Sequence, residues 1–241
     1  MEILELYAYL GLIILGLLAI YVLRNPTEAF LPYNQFIESI TEKKVFYTEE
    51  EKKKIFPTSI LLEENWREIR DEYFKILQKE EIEENVGKNF IVEDENFWKG
   101  WTTIKLKMFG KEFDALEECP FLKNILEKDK NITTAFFSIM EPGKTLPAHY
   151  GPFKGILRYH LGLSIPPKEL GDCYISVDSE IYEWKNGEGV LFDETYLHFV
   201  KNDTSVPRVV LFLDVKRPLP SPISLLNDFL LFLISISPYN H

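Results

Sequence analysis

Five side chains stand where packing alone does not explain them. Arg158 and His160 interrupt the apolar run Gly155-Ile-Leu-Arg-Tyr-His-Leu-Gly-Leu163, and Arg208 opens Val209-Val-Leu-Phe-Leu-Asp-Val215. His149 and His198 each follow just beyond an apolar run. Strand side chains alternate in direction, so Arg158 and His160 share a face opposite Leu157, Tyr159 and Leu161. Ser138 and Met140 share a face in the same way. A buried guanidinium cannot shed its charge and requires an anion. Imidazole suits iron, zinc or copper, and strands lying side by side would let His149 and His198 share one ion. Taken singly, either histidine is more often a satisfied core or surface residue than a ligand. Arg158, His160 and Arg208 change that balance. A cavity that binds a dicarboxylate beside a metal accounts for all three, because guanidinium grips carboxylate through two parallel hydrogen bonds.

The elements that must position these groups are short strands. From Thr133 the sequence breaks into apolar and polar alternation over 133–140, 145–149, 155–164, 172–178, 181–184, 188–193, 197–201 and 206–215, with turns at Pro142-Gly143, Asn186-Gly187 and Asn202-Asp203. Such a series predicts a β-sandwich or jelly roll. Upstream, Trp98 to Met108 alternates like a strand, and Cys119 to Leu126 reads as a short helix. Trp66, Ile69, Tyr73, Phe74 and Leu77 recur at helical spacing to about Lys79, with the aromatics facing the β core. Lys52-Lys53-Lys54 beside Glu49-Glu50-Glu51 reads as a solvated helix start.

The uncharged apolar run Leu6–Leu23 approaches the ~20 residues a helix needs to cross a bilayer. Glu2 and Glu5 precede it and no small-x-small cleavage site follows, which favours a single-pass anchor over a cleaved signal peptide. Arg24 directly after the run places the main body on the cytoplasmic side. The apolar segment beyond Pro220 carries Asn227 and Asp228 and reads as a membrane-interfacial or docked helix. The expected organisation is an anchor over 1–24, a connector over 25–62, a β domain with a helical flank over 63–218, and the apolar segment 219–241. A net charge of −11 leaves no basic stripe for nucleic acid, and Cys119 and Cys173 are too few for a disulfide framework.

Thr133 to Pro218 resembles the catalytic domain of the aspartyl/asparaginyl β-hydroxylase family. The matching motifs are Phe-Ser-Ile-Met-Glu-Pro-Gly (137–143), His-Tyr-Gly-Pro (149–152), Leu-Arg-Tyr-His-Leu-Gly-Leu (157–163), Phe-Asp-Glu-Thr-Tyr-Leu-His (192–198) and Arg-Val-Val-Leu-Phe-Leu-Asp-Val (208–215). Five motifs in order make the resemblance specific, and weaker similarity extends back to Trp98-Lys-Gly-Trp, Cys119-Pro120 and Asn65-Trp66. It implies a mainly β fold with flanking helices, a double-stranded β-helix of the jelly-roll, cupin-like kind, here behind an N-terminal transmembrane helix. It also implies a dioxygenase using Fe(II), 2-oxoglutarate and O2. His149 and His198 would bind iron, and Arg158 and His160 would hold the 1-carboxylate end of 2-oxoglutarate. Arg208 and Ser138 would hold the distal carboxylate, with Met140 lining the pocket; ordinary strand packing is the plain alternative for Ser138 and Met140.

Many such oxygenases carry a carboxylate two residues after the first histidine, where this chain has Gly151. A glycine there is known in the family. Asp193 or Glu194 would then orient a water on the metal, unless they are loop carboxylates facing solvent. The resemblance leaves the substrate open between Asp or Asn residues of a protein and a fatty acyl chain of a lipid, since the family includes lipid A acyl hydroxylases. A non-catalytic cupin-like binding module and, less favoured, an iron halogenase are the alternatives. A zinc hydrolase would leave the arginines unexplained.

Overall fold

The structure is a computed structural model and describes residues 26–83, 91–93 and 100–236. Among the described residues no helix is long and apolar enough to cross a membrane. The anchor expected over 6–23 lies outside the described residues.

Helical pieces come first: α1 (Pro26–Ala29), α2 (Leu31–Ile40), α3 (Glu49–Ile55), α4 (Thr58–Glu64) and the long α5 (Trp66–Glu83). Thr48 caps α3 reciprocally with Glu51, which satisfies two of its otherwise orphaned N–H groups. The connector expected over 25–62 sends Phe56 and Leu62 into the main core. Lys52 does not face solvent as the charge run suggested. It is 1% exposed, with its ammonium 2.6 Å from the carbonyl of Gly189 and 2.7 Å from both Glu49 and Glu63. The hydroxyl of Tyr159 donates to the same Glu63 at 3.0 Å, so polar contacts through the buried Lys52 ammonium fasten the N-terminal helices to the sheet.

Next come β1 (Ile91–Glu93), β2 (Trp101–Met108), β3 (Lys111–Glu112), a 3-10 turn at Asp114–Glu118 and α6 (Pro120–Lys128). Eight strands follow: β4 (Ile132–Met140), β5 (Lys144–His149), β6 (Ile156–Ser164), β7 (Cys173–Val177), β8 (Glu180–Glu183), β9 (Gly189–Phe192), β10 (His198–Asn202) and β11 (Arg208–Lys216). They match the eight expected strands to within two residues at each end. The closing helix α7 spans Ile223–Ser235.

The strands form two antiparallel sheets. The larger runs β1-β2-β4-β11-β6-β9 with β3 beside β2, and the smaller runs β5-β10-β7-β8. Strand alternation gives the larger sheet two unlike faces. Ala135, Phe137, Leu157, Tyr159, Leu161, Leu211 and Leu213 point to the helical side, where Ile69, Tyr73 and Ile76 of α5 and Leu122 of α6 complete the core. Phe74, expected in that packing, is 41% exposed on the far side of α5. The other face looks at the smaller sheet across a second cluster that includes Met140, Ile175, Phe192, Val200 and Val210. That interface between the sheets holds the site.

Candidate active site

His149 ends β5 and His198 begins β10, and the two are direct cross-strand partners. Their ring centroids lie 4.1 Å apart. His149 Nδ1 is 2.8 Å from the carbonyl of Pro147, and His198 Nδ1 is 2.9 Å from that of Tyr196. A backbone carbonyl can only accept, so each Nδ1 carries the proton and each Nε2 carries the lone pair. Burial, helped by His149 and Arg158, pushes the His198 pKa down to about 3, and burial lowers that of His149 too. Two neutral imidazoles with matched tautomers fit a shared metal ion. No group of three or more His, Cys, Asp or Glu side chains suited to a metal occurs among the described residues, so among them an ion here would find two ligands, His149 and His198.

The reason lies at Gly151. A Cβ there would overlap the carboxyl carbon of Glu194. A side chain at position 151 would have to displace the Glu194 carboxyl group, whose loop is held by a 2.9 Å bond from Gly151 N–H to the Glu194 carbonyl. The Glu194 side chain is buried and ion-paired with Arg158 Nη1. Arg158 also faces Asp214, with Nε 3.0 Å from Oδ1. One guanidinium thus serves two buried carboxyl groups. Burial pushes Glu194 up to about 8 against the pull of Arg158, and Asp214 is raised for the same reason.

The inner face of the larger sheet is laid out in rungs. Thr134, Asp214 and Arg158 form one, Phe136, Phe212 and His160 the next, then Ser138, Val210 and Gly162, and finally Met140 with Arg208. The arginines therefore sit at opposite ends of the same face, in unlike surroundings. Arg208 is 2% exposed and has no carboxylate partner among the described residues. Its Nη1 lies 3.3 Å from both the hydroxyl and the carbonyl of Ser138, its Nε has no partner, and its guanidinium rests 4.8 Å from the Trp184 ring. Desolvation lowers its pKa to about 10, the mark of a buried cation without an anion. His160 is buried with neither ring nitrogen bonded, and desolvation followed by Arg208 and Arg158 holds its pKa well below the usual value.

A cavity of about 290 Å³ joins these groups, lined by His149, His198, Arg158, His160, Arg208 and Ser138. Its remaining walls are mostly apolar, among them Met108, Phe109, Phe136 and Phe212, the last two stacked at 3.9 Å. Six of the candidate residues thus share one space. Met140 packs in the cluster between the sheets and is not part of the cavity wall. Asp193 also turns elsewhere: Arg217 and Lys154 pair with it and Thr195 donates to it, and their charges outweigh burial to keep its pKa low.

Sequence reasoning missed several participants. Asp214 has the same strand parity as Arg208, so its presence on the inner face was legible. Trp101 Nε1 donates to the Ser138 hydroxyl at 2.8 Å, and its strand parity carried that signal too. Trp184 follows β8 directly, at the end of the strand expected over 181–184, and nothing in its local sequence announces its place over Arg208.

Residues 63–218 match the family model described as aspartyl/asparaginyl beta-hydroxylase. An ornithine lipid ester-linked acyl 2-hydroxylase from Rhizobium tropici is 37% identical over 186 residues, covering 76% of this chain and 66% of that protein. The aspartyl/asparaginyl beta-hydroxylase of Mus musculus is 34% identical over 169 residues, covering 67% of this chain and 22% of that protein. The chain spans less than two thirds of the length of either relative. Among solved structures, a Pseudomonas putida prolyl-4-hydroxylase superposes with a TM-score of 0.39 at 12% identity, covering 62% of this chain and 88% of that one.

Proposed function

The chain belongs to the aspartyl/asparaginyl β-hydroxylase family, and from that premise we propose that it is an Fe(II)- and 2-oxoglutarate-dependent hydroxylase acting on a fatty acyl chain of a lipid. Arg208 carries the reading. A fully buried guanidinium without an anion, at the end of a cavity that also presents two neutral histidines, is a site built for a carboxylate beside a metal. When bound, iron with 2-oxoglutarate and O2 supplies the oxidising power that inserts oxygen into an unactivated C–H bond.

The chain's own groups hold and orient. His149 and His198 would take the metal through Nε2, held in that tautomer by the carbonyls of Pro147 and Tyr196. Arg208 and the Ser138 hydroxyl would take the distal carboxylate of 2-oxoglutarate, and Trp101 fixes that hydroxyl by donating to it. His160, with both ring nitrogens unbonded, would donate to an oxygen of the 1-carboxylate. For Arg158 to join it there, the guanidinium must release Asp214 or Glu194.

The walls of the cavity favour an acyl chain over an acidic side chain. Met108, Phe109, Phe136 and Phe212 offer apolar surface that excludes water from the reacting centre. An Asp substrate would need a spare cation near these walls, and Arg158, which rests 4.1 Å over the Phe212 ring, is already matched by two carboxyl groups. The Rhizobium tropici relative, an ornithine lipid ester-linked acyl 2-hydroxylase, points the same way.

The test is purified chain with Fe(II), 2-oxoglutarate and two substrate panels, acylated lipids and Asp- or Asn-containing peptides. Succinate release together with a one-oxygen mass gain on the acyl chain is expected. Turnover confined to peptides would overturn the substrate. No turnover on either panel would favour a non-catalytic binding module.

A further inference from the structure

We propose that α7 lies in the surface of a lipid bilayer, with its exposed apolar stripe among the acyl chains. The helix is docked the wrong way round for one facing water. Its buried residues are Asn227 and Leu231, whereas Leu225, Leu226, Phe229, Phe232, Leu233 and Ile236 are exposed, Leu225 by 66% and Phe229 by 55%. Positions 225, 229, 232 and 236 follow one another at helical spacing and form a continuous stripe. Scattered surface leucines need no explanation, but a contiguous apolar stripe rimmed by polar residues marks a contact surface.

Directed hydrogen bonds fix this orientation. Asn227 accepts from the Tyr33 hydroxyl at 2.7 Å and donates to the carbonyl of Gly155 at 3.0 Å. Turning the helix to hide its stripe would break both bonds and leave buried polar groups unpaired. The stripe is therefore held outwards by the fold.

Two observations select a bilayer as its occupant. First, α2 packs beside α7: Phe30 and Tyr33 lie 4.9 and 5.2 Å from the Phe153 ring, in the cluster that Leu230 and Ile234 also join. Leu31, Phe36 and Ile40 of α2 are themselves exposed, and residues 1–25, with the apolar run 6–23, connect to the chain just ahead of α2. A bilayer accepts both a run of that length and an apolar helix edge lying in its plane. Second, Phe109 lines both the groove of about 270 Å³ beneath α7 and the cavity of the two histidines, so the face that carries α7 borders that cavity.

The full chain, reconstituted into phosphatidylcholine–phosphatidylglycerol vesicles with brominated acyl chains, tests this directly. A polarity-sensitive label is placed at Phe229→Cys, at Leu225→Cys as a repeat, and at Ile181→Cys as an exposed control on β8; Cys119 and Cys173 are buried. The labels at 225 and 229 should shift to the blue and be quenched by bromine, while the label at 181 stays unquenched. Equal, unquenched signals at all three positions would overturn the proposal. So would a blue shift without quenching, which would mean that residues 1–25 or a second copy cover the stripe. The readout involves neither iron nor turnover, so its failure would leave the proposed reaction standing.

Discussion

Arg158 and Arg208 project from the same sheet face yet differ in what meets them. Two carboxyl groups already answer Arg158, whereas Arg208 has Ser138 and an aromatic ring. Replacing Arg208 by Ala removes charge-assisted bonds worth about 1.5–3 kcal/mol to the proposed carboxylate, so 2-oxoglutarate affinity, measured by calorimetry, should fall roughly 10- to 100-fold. Unchanged affinity would remove Arg208 from the cosubstrate site. Glu194 has a different signature. Its pKa is raised to about 8 by burial, so the folded chain binds its proton more tightly than the unfolded chain does. Its contribution to stability is complete below the unfolded carboxyl value and is lost as pH rises through about 8. Glu194→Gln cannot ionise. The stability of the wild type relative to this variant, followed by denaturant titration, should therefore fall between about pH 5 and 8. At this scale the sequence was legible in part. Inward parity found Arg158, His160 and Arg208, but the same parity at Asp214 supplies an internal anion, so the inference from a buried cation to a bound ligand holds for Arg208 alone.

Among the elements, the strands were legible because alternation and turn residues mark them at every boundary. The cross-strand pairing of His149 with His198 was not, because register depends on which strands meet across the smaller sheet. Lys52 was misread for a related reason: a charge run on a short helix says nothing of the β9 carbonyl that awaits one of its members. The seating of α7 offers a test at this scale. A Cβ on Gly155 would overlap Asn227 Oδ1 and the Phe153 ring. Gly155→Ala should therefore prise α7 from β6, lowering stability by about 1–3 kcal/mol through lost buried hydrogen bonds and overpacking. Faster proteolysis near Pro220 would accompany it, with the proposed iron binding by His149 and His198 retained. An unchanged cleavage pattern would show that the helix is seated by other contacts.

Across the whole molecule, the larger sheet separates two tasks by side-chain parity. On β4, Phe137 faces the helices and is fully buried in the main core, while its neighbour Phe136 faces the smaller sheet and stacks on Phe212 in the cavity wall. One strand thus carries stability on one side and chemistry on the other, and adjacent substitutions should have separable consequences. Phe137→Ala leaves a cavity under α5 and should cost about 3–5 kcal/mol in denaturant unfolding, while the folded fraction keeps the proposed iron and 2-oxoglutarate binding. Phe136→Ala opens space already next to a void, so neighbouring atoms lose less. It should cost less stability yet raise the KM for an acyl substrate, because the wall that orders the chain beside the histidines is gone. If the two variants instead lost stability and substrate affinity in proportion, the sheet would be acting as one undivided core, and the cavity face would have no function distinct from packing.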